Sequence, residues 1–162
     1  MSNELSTRDA SILRHMLKYC METDEALAYF GDDEALFMRS AVFRNAISMP
    51  IQQIGELAKH LSDAFIDTSP QMPWRQIKGM RDWFAHQYIK MDNAVIWNVA
   101  KVDMPPLKAF LREQLEEVNR EGALRAFSAL RAEARANGVC DLTLDEINAE
   151  IQKAREKMEG DA

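Results

Sequence analysis

Three polar side chains whose types could do chemistry together lie close to one another in "RDWFAHQY", residues 81–88. Arg81 is followed five positions later by His86, and Tyr88 stands two positions after that. Histidine titrates near neutrality, with an unperturbed pKa of about 6.5, so it can accept or donate a proton at physiological pH. Arginine stays charged and offers a planar fork of donors for phosphate oxygens. The pair therefore supplies the two groups that RNA cleavage without a metal needs, one to move the proton of the ribose 2′-hydroxyl and one to stabilise the negative charge that builds on the phosphate.

The same segment also has a purely structural interpretation. A cation in the last turn of a helix is stabilised by the helix dipole by about 0.3–1 kcal/mol, which would account for Arg81 and His86. Asp82 stands four positions before His86 and could pair with it on the surface. Tyr88 could be a core aromatic whose hydroxyl reaches water. Residue types and spacing alone leave both interpretations open.

Helical geometry favours a site that two chains build together. Five residues correspond to about 140° around an ideal helix, so Arg81 and His86 straddle its edge. Two copies of the helix related by a two-fold axis would bring two arginines and two histidines to one groove, which predicts a homodimer. Asp82 could orient the imidazole. Arg75 and Lys78 form a cationic strip leading to Arg81, which would suit an RNA backbone.

The elements that must position this segment are all predicted to be helices. Apolar residues recur at helical spacing throughout, and no strand pattern is present. Ser6 starts a first helix and Gly31 ends it. A second long helix is predicted from Asp32–Asp33 through "SDAF" at 62–65, with a kink at Pro50. Glu56 lies in this helix; we expect it to form a solvated cluster with Lys59 and His60, and Arg81 is the alternative partner.

Pro73 suits the first position of a third helix, "PWRQIKGMRDWFAHQY", which carries the motif. Asp92 can cap a short fourth helix, and "DMPP" is predicted to interrupt the chain before "LKAFLREQLEEV" restarts it. The fold class is therefore all-α, an antiparallel helical bundle over residues 1–118. Residues 119–162, rich in alanine and arginine at first, are predicted to form a helical C-terminal extension.

The end of this extension allows two interpretations. Asn137–Gly138 stops one helix, and Thr143 with Glu146 forms a capping box that starts another. The final segment is similar to the short C-terminal helices of small bacterial antitoxins that wrap a partner. Alternatively, it is an amphipathic helix that packs on its own bundle and buries the following residues: Leu142, Leu144, Ile147 and Ile151.

Composition limits the classes of function. The 162 residues, 47% apolar and 28% charged, suit a globular domain with or without an appendage. The net charge of −6 argues against a broadly basic surface for nucleic acid, but it allows a small basic site. No apolar run approaches the roughly 20 residues of a membrane span, and the polar N-terminus does not resemble a signal peptide, so we expect a cytoplasmic protein without membrane contact. Cys20 and Cys140 are too few and too far apart for a disulfide framework or a metal site, so we expect neither metal nor cofactor.

The pattern Arg, four residues, His, one residue, Tyr resembles the signature of the HEPN ribonuclease superfamily, and particularly its HepT-like toxins. The flanking segments agree in order: "IGE" within "FRNAISMPIQQIGELAKHLS", "PW" and "GMR" leading into the motif, and "VIW…P…L" after it. The resemblance covers roughly residues 8–116. It implies an all-α bundle that dimerises and cuts RNA without metal in a groove between the two chains.

By that resemblance Arg81 and His86 are catalytic, and Asp82 occupies a position that is usually polar and often asparagine. Tyr88 would be the residue that a minimal nucleotidyltransferase antitoxin modifies with AMP. The added bulk and negative charge beside His86 would block RNA phosphate. The alternative is a non-catalytic helical partner of a nucleotidyltransferase, which keeps the fold for binding only.

Overall fold

The computed structural model describes residues 5–87 and 92–136, and within these the side chains of residue 82 and of 84–87 are outside the description. Contacts divide the chain into two compact units, Met1–Asn119 and Arg120–Ala162. The described residues form helices and no strand, which confirms the all-α prediction. In chain order the elements are α1 (Thr7–Tyr29), α2 (Glu34–Arg39), α3 (Ala41–Ala58), α4 (Asp63–Thr68), α5 (Trp74–Gln87), α6 (Asn93–Asn98), a π-helical turn (Val99–Asp103) and α7 (Met104–Ala136).

Both ends of α1 are where the sequence predicts them. The Ser6 hydroxyl oxygen accepts a hydrogen bond from the Asp9 backbone N–H at 2.9 Å, and the hydroxyl donates to the Asp9 carboxylate at 2.6 Å. After the helix, Gly31 adopts a φ of 77°, a left-handed conformation that glycine tolerates without steric cost. The next N–H, of Asp32, donates to the Leu27 carbonyl, which closes the helix end.

The single long second helix predicted from residue 32 to residue 65 is wrong, because the chain forms three helices there. Ser40 has extended backbone angles, and its hydroxyl accepts from the Phe43 N–H, so it ends α2 and caps α3. Ser62 caps α4 in the same way by accepting from Phe65. A serine hydroxyl that binds the backbone competes with continuation of a helix. Pro50 does lie inside α3, as predicted.

The core of the first unit centres on α3, which packs against α1 on one side and α5 on the other. Its buried face carries isoleucines one turn apart, at Ile47, Ile51 and Ile54, all without solvent exposure. Leu13 and Met16 of α1 complete this contact. Because α3 is held from both sides, it provides a rigid support for α5.

The predicted interruption at "DMPP" is also wrong. Asp92 caps α6 as expected, its carboxylate accepting from the Ala94 N–H at 2.9 Å. The π-helical turn then leads directly into α7, with the Met104 N–H donating to the Val99 carbonyl. Pro105–Pro106 fall in the first turn of α7, a position where a missing N–H costs little.

Candidate active site

The helices α3 and α5 lie backbone to backbone at Gly55, which is buried. A Cβ atom at Gly55 would lie 2.9 Å from the backbone nitrogen of Arg81 and 3.0 Å from the carbonyl oxygen of Ile77. The first distance is shorter than Cβ atoms normally show and the second is unusually tight, and backbone atoms cannot move aside cheaply. Glycine at this position therefore allows the backbone of Arg81 to lie directly against α3.

The residue after this glycine contacts the Arg81 side chain. Arg81 Nε lies 3.0 Å from Glu56 Oε2, and the two side chains are 42% and 43% exposed. Oε2 itself is shielded from solvent and, among the described residues, receives no hydrogen bond of good geometry. The contact is therefore mainly an attraction between charges. Of the two arrangements considered for Glu56, the alternative pairing with Arg81 is the one observed.

The N-terminal turn of α5 is anchored by Trp74, which is only 4% exposed. Its indole N–H donates to the Ser69 hydroxyl oxygen at 2.9 Å and lies 3.1 Å from the Ser69 carbonyl oxygen. The ring packs on Phe65 of α4 and Phe110 of α7. Because Ile77 is also buried one turn later, the orientation of α5 is fixed before it reaches Arg81.

The predicted site residues differ in how far the structure describes them. Arg81 is half-exposed and lies at the α3–α5 crossing; Arg75 is exposed and Lys78 half-buried on the same helix. The backbone of His86 is helical within α5, five positions after Arg81, while its side chain and that of Asp82 are outside the description. Tyr88 lies outside the described residues.

The surroundings of Arg81 were predictable from the sequence only in part. Glu56 was recognised as a candidate, whereas the close approach at Gly55 was not. The signal was present in the sequence, because the two residues are adjacent in "IGE", one of the segments that carry the family resemblance. Only the packing of α3 on α5 explains why the glycine and the glutamate occur together.

Two further findings concern metal sites and membrane-spanning helices among the described residues. Among the side chains that the structure describes, which exclude those of Asp82 and His86, no three of histidine, cysteine, aspartate or glutamate gather as a group that could hold a metal ion. None of the helices within 5–87 and 92–136 combines the length and the apolar character that crossing a membrane requires.

Comparison with known proteins identifies relatives over the part of the chain that carries this site. The chain is 28% identical over 105 residues to "Putative RNase TTE0752" of Caldanaerobacter subterraneus subsp. tengcongensis, covering 65% of this chain and 92% of that protein. It is 28% identical over 72 residues to "Putative RNase MJ1380" of Methanocaldococcus jannaschii, covering 44% of this chain and 66% of that protein. No solved structure gives a significant match.

A third relative is "Probable ribonuclease HepT" of Thermococcus cleftensis, 36% identical over 63 residues, which cover 39% of this chain and 57% of that protein. The family model described as "Ribonuclease HepT-like" matches residues 16–114. This match extends over more than half of the chain and includes both helices of the α3–α5 crossing. The chain therefore belongs to the Ribonuclease HepT-like family.

Proposed function

We propose that this protein is an endoribonuclease that cleaves RNA without a metal ion and acts as the toxin of a toxin–antitoxin pair. The observation that carries the proposal is the position of Arg81. It lies on α5, the helix that also bears His86, and its side chain contacts Glu56 of α3 at the α3–α5 crossing. The chain belongs to the HepT-like family. The relatives' names, which describe them as ribonucleases, support the reaction class.

In the proposed reaction the ribose 2′-oxygen attacks the adjacent phosphorus and the bond to the 5′-oxygen breaks. A proton leaves the 2′-hydroxyl and another reaches the departing 5′-oxygen, so the products are a 2′,3′-cyclic phosphate and a 5′-hydroxyl. His86 transfers a proton, and the Arg81 guanidinium stabilises the charge that develops on the phosphate. Arg75 and Lys78, which lead along α5 to Arg81, bind the RNA backbone next to the cleaved phosphate, and Asp82 orients His86.

The proposed active form is a homodimer. Arg81 and His86 are about 140° apart around α5, so one helix does not direct both side chains at the same phosphate. Two-fold symmetry would supply a second imidazole, which provides one histidine for each of the two proton transfers. The half-exposed state of the Arg81 side chain, despite its contact with Glu56, is compatible with a second ligand for the guanidinium.

The proposed regulator is a nucleotidyltransferase antitoxin that modifies Tyr88. The tyrosine oxygen would attack the α-phosphate of ATP, forming an AMP–tyrosine ester and releasing pyrophosphate. The ester places a phosphate two residues after His86, where it would repel substrate RNA. Incubation with such an enzyme and ATP should add one AMP unit to the protein, and Tyr88→Phe should abolish that mass increase.

The direct test of the nuclease is incubation of the purified protein with RNA in EDTA. We expect cleavage, and we expect it to fall by at least about a hundredfold in His86→Ala and in Arg81→Ala, as is usual when a proton carrier or a charge stabiliser is removed. His15→Ala is the matched control, because His15 is an exposed histidine on α1, a helix that carries neither the motif nor Glu56. Cleavage that needs a divalent ion, or that persists fully in both variants, would contradict the mechanism.

Growth of cells that express the protein distinguishes the enzyme from a binding module. A toxin should stop growth, and His86→Ala should restore it. Harmless expression combined with tight binding of a nucleotidyltransferase would instead support the alternative of a non-catalytic partner.

A further inference from the structure

The described part of the second unit carries an apolar face that is open to solvent. Leu124, Phe127 and Leu130 lie on one side of α7 at successive turns and are 61%, 59% and 64% exposed. We call these three residues the α7 apolar face. Single exposed apolar residues are common, but three large ones in a row on one helix usually mark a contact surface. The Arg131 guanidinium lies over the Phe127 ring at 5.9 Å and leaves most of it open.

We propose that the α7 apolar face is the docking site of the chain's own C-terminal segment, residues 143–158, which folds back as an antiparallel helix. Residues 137–162 lie outside the described residues, so the proposal uses their sequence and the described surface that precedes them. The resulting helical hairpin lies within residues 120–162.

The apolar spacing of the two segments matches that of a two-helix seam. In the C-terminal segment apolar residues alternate at intervals of three and four, which is the spacing of a coiled coil. They are Leu144, Ile147, Ile151, Ala154 and Met158. In α7 the same spacing relates Ala123, Phe127, Leu130 and Ala134, and Leu124 lies at the flank of this stripe. Each helix therefore presents a narrow stripe that the other can cover.

The length of chain between the segments permits the reversal. Asn137–Gly138 follows the last described residue of α7 and is a helix-stopping pair, and the capping box of Thr143 starts the next helix six residues later. Short connections of this length join antiparallel helices. In that register Leu130 faces Ile147 and Ile151.

Charge complementarity favours this occupant over a second copy of the α7 apolar face. Residues 120–136 contain four arginines and two glutamates, a net charge of +2, whereas the docking segment, residues 143–158, contains four acidic and three basic residues, a net charge of −1. Two α7 apolar faces would bring together surfaces of the same sign, while the C-terminal segment brings opposite charge. Attraction of this kind selects the partner of a helix more than it adds affinity.

Hydrogen exchange followed by mass spectrometry on the full-length protein tests the proposal. We expect the amides of residues 144–158 to be protected at least about tenfold over an unstructured peptide, as for a docked helix. Leu130→Asp should abolish that protection, and Ile147→Asp should do so from the other side. Ala132→Asp is the matched control: it adds the same charge on the opposite side of α7, and Ala132 is also exposed.

Three results would overturn the proposal. The first is exchange of residues 144–158 at the unstructured rate in the unmodified protein, and the second is equal exchange in Leu130→Asp and Ala132→Asp. The third comes from carbodiimide cross-linking of a mixture of light and isotope-labelled protein. The proposal predicts that Glu121 is joined to Lys157 within one chain. Cross-links that join a light to a labelled chain would assign the α7 apolar face to the segment of a second copy instead.

Discussion

At the scale of single residues, the contact between Glu56 and Arg81 is expected to affect the proposed RNA cleavage more than the stability of the fold. Both side chains are more than 40% exposed, so water screens the attraction and the pair contributes less than about 1 kcal/mol to the free energy of unfolding. The contact nevertheless limits the directions in which the Arg81 guanidinium can point. Its main effect is therefore expected on the reaction rather than on the fold.

Glu56→Gln tests this expectation, because it keeps the size of the side chain and removes its charge. We expect kcat for RNA cleavage to fall by about tenfold, with a small change in KM, because in the proposed mechanism Arg81 acts chiefly on the charge that develops in the transition state. The melting temperature should change little. Glu22→Gln is the matched control, since it removes the same charge from an exposed pair with Lys18. Equal activity of the two variants would rule out an orienting role for Glu56.

A second residue-scale feature concerns stability alone. The Asp9 carboxylate is buried and accepts hydrogen bonds from the Ser62 N–H at 2.9 Å, the Ser62 hydroxyl at 2.8 Å and the Ser6 hydroxyl. Burial by itself raises the pKa of Asp9, but the bonds from Ser6 and Ser62 outweigh it and hold the pKa below the ordinary value of 3.8. The carboxylate thus ties the start of α1 to the start of α4.

Asp9→Asn should lower the free energy of unfolding by about 2 kcal/mol at pH 7, because the hydroxyl and N–H donors lose a charged acceptor. The pKa of Asp9 is lower in the folded state than in the unfolded state, so the charged carboxylate stabilises the fold. This contribution is fully present above pH 3.8 and is lost as the pH falls through the folded-state pKa. The difference between the two proteins, measured by urea unfolding, should therefore shrink below pH 4. A difference that stays constant down to pH 2 would contradict the role assigned to Asp9.

At the scale of elements, the crossing of α3 and α5 determines where Arg81 lies. The Gly55 position has no room for a methyl group, since the nearest atoms belong to the α5 backbone. A Cβ atom at Gly79, which lies on α5 itself, would have no atom of a neighbouring element within 4 Å. The two glycines therefore provide opposite expectations for the same substitution.

Gly55→Ala should force the helices apart, which costs about 1–3 kcal/mol of stability, and should reduce RNA cleavage by displacing Arg81. Gly79→Ala should stabilise the protein by about 0.5–1 kcal/mol, because alanine favours the helix, and should leave Arg81 in place. Thermal unfolding and the cleavage assay measure both effects. A Gly55→Ala protein as stable and active as the unmodified one would show that the close approach has no role in the site.

At the scale of the whole molecule, the proposed homodimer predicts complementation between inactive variants. A mixed dimer of one Arg81→Ala chain and one His86→Ala chain keeps one arginine and one of the two histidines for the shared groove, so one of the two proton transfers retains its imidazole. Mixing the two inactive proteins should therefore restore a small part of the cleavage activity, whereas each variant alone stays inactive. Subunit exchange is verified separately with two affinity tags. Verified exchange without any recovery would contradict a groove in which the arginine of one chain works with the histidine of the other.

The sequence determined the features that depend on residues close together in the chain. The cap at Ser6, the left-handed Gly31, the cap at Asp92 and the helical class all follow from contacts over one turn. The spacing of Arg81 and His86 on one helix is local in the same sense, and so the motif was identifiable from the sequence. The division of the second helix at Ser40 was not predicted, because the apolar stripe continues across it and a capping hydroxyl competes with the helix only weakly.

The tertiary structure decided what surrounds the motif. Glu56 and Arg81 are 25 positions apart, and their contact exists because a buried glycine lets α3 and α5 pack backbone to backbone. Periodicity shows which face of a helix is buried, but it does not specify which helix covers that face or at what distance. Those depend on the combined packing of side chains from several elements, which is a property of the folded chain and not of any short segment.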